Sequence, residues 1–550
     1  MSDITEFETS PVTPDKLQPA RYFAASFAGE HVAGTEFVIG AMFVTWGVST
    51  ADIFWGLLWG NLLAVLTWTF VCAPIAVDTR LTLYAYLKRI AGPGTIRIYS
   101  VVNGILFCIL AGTMITVSAS AVRILFDIPA QVHWYPTDGR FVLVALAVGA
   151  VVVAIAIKGF RRVAQFAEVC APWMILMFIA GALSMYPLLQ AAAGGDAGFG
   201  EVADRFIWRG DKSELSAWHV AAFAWVCNLA MHGGLSDMTV LRYARRYEYG
   251  YFSAFGMFIG HYLAWVCAGI MGAGAALVLG KSITELDAGG VAYEALGSAG
   301  ILAVIIAGWT TSNPTIYRAG LAFQSLRPSW NREVVTAVVG AVTTVIACFP
   351  FVFSRLMDFV GMMGLILVPV GAVIVAEHWL FPRLGYTRYW SQYRGQSTNL
   401  PAVLSWGIAL LVAFGLNRAG VHLFFLLVPV WITATLAYLV LAGAMGARQA
   451  YPQASGDAQA EAERQAAEQA CLAQARELGA AGRHRPGPLR RLSRGLALLA
   501  LIACIGMALW ALGGGDLQLF RRWLWLPTLV YFAAAILWVV RSESGDKAAA

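Results

Sequence analysis

Two apolar segments of this chain are broken at their centres by polar and glycine-rich residues, and each break carries a histidine. The first reads Phe27-Ala28-Gly29-Glu30-His31-Val32-Ala33-Gly34-Thr35, inside a hydrophobic run that continues through Phe37 to Trp46. The second reads Asn228-Leu229-Ala230-Met231-His232-Gly233-Gly234, inside the run opened by Trp218. In hydrocarbon, a carboxylate or an unpaired backbone group costs several kcal/mol, so such stretches survive only where protein encloses them. Paired interruptions in corresponding halves of a membrane protein mark a substrate and ion site between unwound helices. The pattern predicts a carrier with its site at mid-membrane.

The rest of the chain fits that setting. Of 550 residues, 59% are hydrophobic and 13% charged, with a mean hydropathy of +0.67, whereas soluble domains hold about 25% charged residues. A helix needs about 20 apolar residues to cross a bilayer. Such segments fall near 22–47, 51–74, 97–125, 140–158, 163–189, 217–236, 251–279, 299–325, 333–353, 357–380, 401–417, 420–445, 495–513 and 522–540. The chain is therefore expected to be all-α and polytopic.

The net charge of +6 calls for no nucleic-acid partner, because the cations cluster between spans. Arg80, Lys88, Arg89 and Arg97 follow the second span, Lys158, Arg161 and Arg162 the fourth, and Arg242, Arg245 and Arg246 the sixth. Arg327 and Arg332 follow the eighth, and Arg383, Arg388 and Arg394 the tenth, whereas an alternate loop mixes Asp204, Arg205, Arg209, Asp211 and Lys212. The positive-inside rule then gives a multi-pass protein of the cell membrane with both termini cytoplasmic. Arg521 and Arg522 fall on the opposite side. Seven of the eight cysteines lie in apolar spans without metal-type spacing and read as small buried hydrophobes. The first nineteen residues lack the basic and apolar regions of a cleavable signal.

This alternation divides the chain into a cytoplasmic tail (1–19), a first repeat of five spans (20–190), an extracytoplasmic loop (191–216) and a second repeat of five spans (217–380). Spans eleven and twelve (381–445), a cytoplasmic insertion (446–494), a C-terminal hairpin (495–540) and a cytoplasmic tail (541–550) follow. Because five is odd, the second repeat is inverted relative to the first. Within the insertion, Gln459 to Leu478 favours a short solvated helix. Arg483 to Arg494 reads as a basic linker near anionic lipid, with a regulatory or partner-binding helix as the alternative for the segment.

The candidate site residues come from the breaks and from the span they face. Unwound backbone exposes half-helix N-termini to polar groups and free carbonyls to cations. Glu30 and His31 are candidates for a substrate hydrogen bond or a coupling proton, and as helical neighbours they are not expected to face one ligand together. Asn228 and His232 take the same role in the second break, with Trp225 as a stacking surface and Asn103 as a further buried amide. Thr310-Thr311-Ser312-Asn313-Pro314-Thr315 is the densest hydroxyl and amide cluster in any span. Asn313 presents paired donor and acceptor to a planar ligand. Thr310 and Thr311, with the carbonyls around Ala28 and Gly29, suit Na⁺. Asp237 is expected to form a local ion pair with Arg242, Arg245 or Arg246. No motif of a metallopeptidase, serine hydrolase or other membrane enzyme is present, and no cofactor is expected beyond a coupling ion.

At these residues the chain resembles the nucleobase:cation symporter-1 family of cytosine, purine, allantoin and hydantoin permeases. The resemblance rests on Phe37-Val38-Ile39-Gly40-Ala41, Gly159-Phe160-Arg161-Arg162-Val163, Arg242-Tyr243-Ala244, Asn313 through Tyr317 with Arg318-Ala319-Gly320-Leu321, and Gly371 through Glu377. It covers roughly residues 20–445. It implies a five-plus-five inverted-repeat (LeuT-like) core with discontinuous helices 1 and 6, further C-terminal helices, and Na⁺- or H⁺-coupled uptake of a small heterocycle. Asn313 matches the family's span-eight amide, and Thr310 and Thr311 lie near its Na⁺-binding hydroxyls. The interval from Asp237 to Arg242-Tyr243 is two residues longer than the family's pattern, and Glu30-His31 departs from it. An amino acid or other amine is the alternative substrate, and a transporter-derived sensor the alternative function.

Overall fold

The computed structural model describes residues 9–131, 133–211, 215–350, 356–481 and 487–547. The start of the N-terminal tail, Lys212, Arg483 and the last three residues lie outside the described residues. The first broken span is α1 (Ala20–His31) followed by α2 (Gly34–Thr45), and α3 (Thr50–Thr79), α4 (Leu83–Val122), α5 (Gly139–Ala156) and α6 (Phe160–Ala192) complete the first five. The second broken span comprises α7 (Ala217–Val226), α8 (Leu229–His232) and α9 (Met238–Leu241). Then come α10 (Tyr247–Leu279), α11 (Ala288–Leu296), α12 (Ser298–Gln324), α13 (Arg332–Ala347) and α14 (Asp358–Leu384). The chain ends with α15 (Leu400–Arg418), α16 (Leu423–Ala447), α17 (Pro452–Ala481), α18 (Pro488–Leu512) and α19 (Leu517–Val539).

Among the described residues, 11 helices are long and apolar enough to cross a membrane. The two broken spans and the 16-residue α13 lie at the other three of the fourteen expected segments and fall outside that set. Leu143, Leu411 and Leu499 are each more than 60% exposed on outer faces. Water would not tolerate apolar surface on that scale, so these faces meet lipid.

Local sequence explains how the two broken spans come to lie side by side. Ser49 and Asp52 form a capping box at the start of α3, and the same Asp52 accepts the Ala217 N–H at 2.9 Å, capping α7 as well. One carboxylate thus joins the second span to the sixth. α4 is kinked at Gly92 (φ 80°), ahead of Pro93. A Cβ on Gly92 would stand 2.7 Å from the Ser397 carbonyl, so only glycine fits both the backbone and the contact. α12 packs along α4 and α1.

Two elements outside the ten-helix core differ from expectation or extend it. The hairpin of α18 and α19 packs on α6, where Trp173 donates its indole N–H to Thr528 at 3.1 Å and Tyr531 donates to the Val169 carbonyl at 2.8 Å. Arg521, on the side that ordinarily lacks cations, lies 3.3 Å from Glu294, which compensates its charge. The helix expected over Gln459–Leu478 is present and largely exposed, but it is longer and one face of it is docked. α17 is 30 residues long and docks on the arginine-rich end of the core. Asp457, Glu461, Arg464 and Glu468 are spaced by four, three and four residues, which puts them on one helical face. Asp457 meets Arg89 at 2.9 Å and the Tyr393 hydroxyl at 3.0 Å, and Glu461 lies 3.7 Å from Arg388. Glu468 receives the fully buried Arg80, whose guanidinium also donates to the carbonyls of Arg242 at 3.0 Å and of Ala244.

Arg80 leaves a buried charge unpaired once Glu468 is removed. Glu468→Ala is expected to cost about 3 kcal/mol of stability and to open α17 to protease, read by thermal unfolding and limited proteolysis in detergent. An unchanged Tm and digestion pattern would show that α17 is not held by this pair.

Candidate functional site

α1 stops at His31 because Val32 (φ −89°, ψ 66°) and Ala33 (φ −103°, ψ 167°) leave the helical region before α2 restarts at Gly34. α7 stops at Val226, and Asn228 (φ −112°, ψ 27°) begins a second break that continues through Gly233, Gly234 and Leu235 (φ 63°). Both interruptions read from the sequence are therefore present. α10 crosses behind the first break as a π-helix over Phe255–Ala264, a geometry concentrated at functional sites. Its Gly260 admits the break: a Cβ there would stand 2.6 Å from the carbonyl carbon of His31.

The two breaks enclose a cavity of about 50 Å³, lined by Glu30, His31, Thr35, Glu36, Asn228, His261 and Thr311 among its polar residues. A volume of that size holds a few water molecules, so the site must widen to admit an organic ligand. Glu30 and His31 both face it, contrary to the expectation for helical neighbours, because the helix ends at that point. Asn228 donates its amide toward His261 Nε2 at 3.3 Å. His31 donates Nδ1–H to the Phe27 carbonyl at 2.8 Å, which leaves Nε2 without a partner.

Beside the cavity lies a buried charge cluster. Arg318 of α12 meets Glu30 through both guanidinium termini, at 2.6 and 3.0 Å, and reaches Asp237 at 2.5 Å. The other Asp237 oxygen accepts the Trp68 indole N–H at 2.7 Å. All three charged side chains are at most 5% exposed. Asp237 thus turns inward across the bundle to Arg318, and is not spent on the local arginines that follow it, because the left-handed Leu235 redirects the chain ahead of it. Arg318 is the residue that sequence reasoning passed over as a site. Its signal was the charge count: it is the one charged residue in the whole of α12, opposite two unmatched carboxylates.

The remaining candidates are placed as follows. Thr311 donates its hydroxyl to the Glu30 carbonyl at 2.7 Å, beside the Ala307 carbonyl at 3.3 Å, and Thr310 donates to Ala307 at 3.1 Å. The carbonyl at the break is therefore that of Glu30. The Ala28 carbonyl accepts Val32 N–H at 2.9 Å, and Gly29 packs against Ala167. Asn313 is fully buried with neither amide atom hydrogen-bonded, but it is not in the cavity wall. Two residues beyond Thr311, it is rotated about 200° from the face that carries Thr311 and Arg318. Asn103 donates to the Tyr84 hydroxyl at 2.9 Å. His232 donates to the Trp225 carbonyl at 2.9 Å and packs on Trp68, closing the second break from behind. Trp225 turns into a separate groove beside Leu427 and Trp431, its indole on Thr67 at 3.1 Å.

The sequence matches no family model and no curated protein. Solved structures do match. Mhp1, a nucleobase-cation-symport-1 family transporter, in a closed conformation with bromovinylhydantoin bound, superposes with a TM-score of 0.62 at 15% identity. That alignment covers 83% of this chain and 98% of Mhp1. A Na⁺-coupled sialic acid symporter aligns with a TM-score of 0.55 at 13% identity, over 78% of this chain and 90% of its own. The fold is that of the LeuT-like transporters. It is an all-α, multi-pass membrane architecture of two inverted five-helix repeats, with helices 1 and 6 discontinuous and further helices after the tenth. The structural resemblance reaches the family expected from the motifs, while the low identity carries the fold alone.

Removing Arg318 would strand two carboxylates. Arg318→Met is expected to destabilise the protein by about 3–5 kcal/mol, measured as a fall in Tm. The triple variant Glu30→Gln, Asp237→Asn, Arg318→Met should recover most of that loss. A triple variant no more stable than Arg318→Met would show that packing, not charge, is what Arg318 supplies.

Proposed function

We propose that this chain is a cation-coupled secondary active transporter that imports a small heterocyclic, nucleobase-like molecule by alternating access. The observation that carries the reading is the cavity between two helix breaks, a mainly apolar pocket into which a few polar groups converge. Its Asn228 amide, Glu36 carboxylate and imidazoles offer the donors and acceptors that a ring with N–H and C=O edges requires. The Thr311 hydroxyl, with the carbonyls of Glu30 and Ala307, forms an oxygen-rich corner in which Na⁺ would replace a hydrogen bond within the protein. Coupling by H⁺ would instead use the titratable residues of the cavity. With the arginine-rich end inside, both termini are cytoplasmic.

One observation favours a second substrate class. Glu30 and Asp237 share the single guanidinium of Arg318, and Glu36 in the same cavity wall has no cationic side chain against it beyond a His261 ring at 4.0 Å, so the centre favours a positively charged ligand and an organic amine fits it.

A thermal-shift screen of purified protein separates these readings, with uracil, cytosine, hydantoin and choline as probes in Na⁺ or K⁺ buffer. Ligand at 100 times its Kd stabilises the native state by about 2.7 kcal/mol. A heterocycle is expected to raise Tm, with the shift lost in Asn228→Ala; a Na⁺-dependent part should be lost in Thr311→Val. A shift with choline alone replaces the heterocycle by the amine. No shift with any probe overturns the substrate reading.

A further inference from the structure

Glu36 stands two residues into α2, just past the first break, and is 2% exposed. One of its oxygens accepts the Thr35 hydroxyl at 3.2 Å and the other accepts the Trp265 indole N–H. The basic group beside it is His261, whose Nε2 lies 4.0 Å from Oε1. The contrast with Glu30, six residues earlier in the same cavity wall, is sharp: Glu30 has a two-pronged guanidinium partner, and Glu36 has only neutral donors. Neutral donors do not compensate a full negative charge withdrawn from water.

His261 is equally suggestive. It is 3% exposed, its ring stacks on Trp265 with centroids 4.2 Å apart, and its Nδ1 has no partner. The ring of His31, whose Nε2 is also free, stands 5.2 Å away. A buried carboxylate and a buried imidazole therefore share one small cavity, with hydrogen-bonding capacity unused on the imidazole side.

We propose that Glu36 and His261 together bind one proton, and that this proton is the coupling ion of the carrier; the inference deepens the transport reading and rests on it. When the cavity is open, water solvates the bare carboxylate and the proton enters or leaves from that side, onto a Glu36 oxygen or a ring nitrogen of His261. When the cavity is closed, the proton-free pair holds an uncompensated charge in a low-dielectric site. The protonated pair does not, whether as carboxylic acid beside neutral imidazole or as carboxylate beside imidazolium. Closure without the proton is penalised, and closure with it is not. That difference is all that coupling requires.

The other titratable groups around the pair are consistent with its acting as a unit. Cys227 and His31 share the cavity wall, and His232 lies beyond them against Trp68. From α12 the charged group is Arg318, already committed to Glu30 and Asp237. Of the elements packed on α2, the turn Ile283–Glu285 carries Glu285, which is exposed, and α11 carries Glu294, beside Arg521, with Asp287 at its cap bound to Arg123. On α4, Lys88, Arg89 and Arg97 lie on the arginine-rich side of Asn103, and Arg123 closes the other end.

Infrared difference spectroscopy of the full chain in phosphatidylethanolamine–phosphatidylglycerol vesicles tests the site with the proton itself as probe. The titration runs from about pH 5 to about pH 9 in Na⁺-free buffer with no substrate. A carboxyl or imidazole band is expected to titrate, to vanish in Glu36→Gln, to persist in Glu30→Gln and to return in Glu36→Asp. In His261→Gln a carboxyl band should remain and its midpoint should not rise, because Glu36 then carries the proton alone and the site has lost one of its two proton-bearing states. The return in Glu36→Asp separates loss of the proton site from misfolding. An identical titration in wild type and Glu36→Gln, or no titration in wild type, overturns the proposal. Because no substrate enters the measurement, a failed ligand screen leaves this result standing, and a failed titration leaves a heterocycle-induced thermal shift standing.

Discussion

The guanidinium of Arg318 is the interaction on which the centre of this protein depends. It draws a carboxylate from the first broken span and another from the sixth onto the eighth, and through Trp68 it engages the second. In water such contacts would add little. In a bilayer interior each charge alone is costly enough that the three must meet, and their meeting fixes how the two unwound helices face each other. The cavity between the breaks follows from that arrangement, as does the chemical difference between its two carboxylates: Glu30 is neutralised by the protein, and Glu36 is left for whatever the cavity admits.

A second level of electrostatics operates at the arginine-rich end. Arg80 is buried there against two backbone carbonyls at the end of the sixth span and against Glu468 of the docked helix α17. Residues of the N-terminal tail join the same surface, where Val12 donates to the Arg80 carbonyl and Gln18 to that of Tyr243. The arginine-rich end of the sixth span is thus tied to a helix far along the chain. Any widening of the cavity toward that side has to loosen these contacts, which gives the insertion a mechanical relation to the site without touching it.

The positions of the candidate residues show where local reasoning reaches its end. Asn228 and Thr311 were identifiable because polar groups inside apolar runs need a buried partner, and the structure supplies one. Asn313, Trp225 and His232 carried the same signal, but rotation about the helix axes and the unwinding at Asn228 turn them to other neighbours. Glu36 sat one position beyond the polar stretch and His261 in an otherwise ordinary apolar span. Neither has a charged partner nearby in the sequence, and their significance appears only when α2 and α10 are brought together.

The sequence by itself determined that this chain spans a membrane, that it crosses about as often as its apolar segments number, and that two of those crossings unwind at their centres. Each of these follows from the cost of exposing polar groups to hydrocarbon, which acts residue by residue and is therefore written along the chain. The partner of each buried charge was decided only by the tertiary structure. Asp237 had nearby arginines in sequence and took a distant one in α12, and the charged face of α17 found arginines on the core instead of solvent. Pairing energies in a low-dielectric interior depend on distances of a few ångströms between segments far apart in the chain, and helix packing sets those distances.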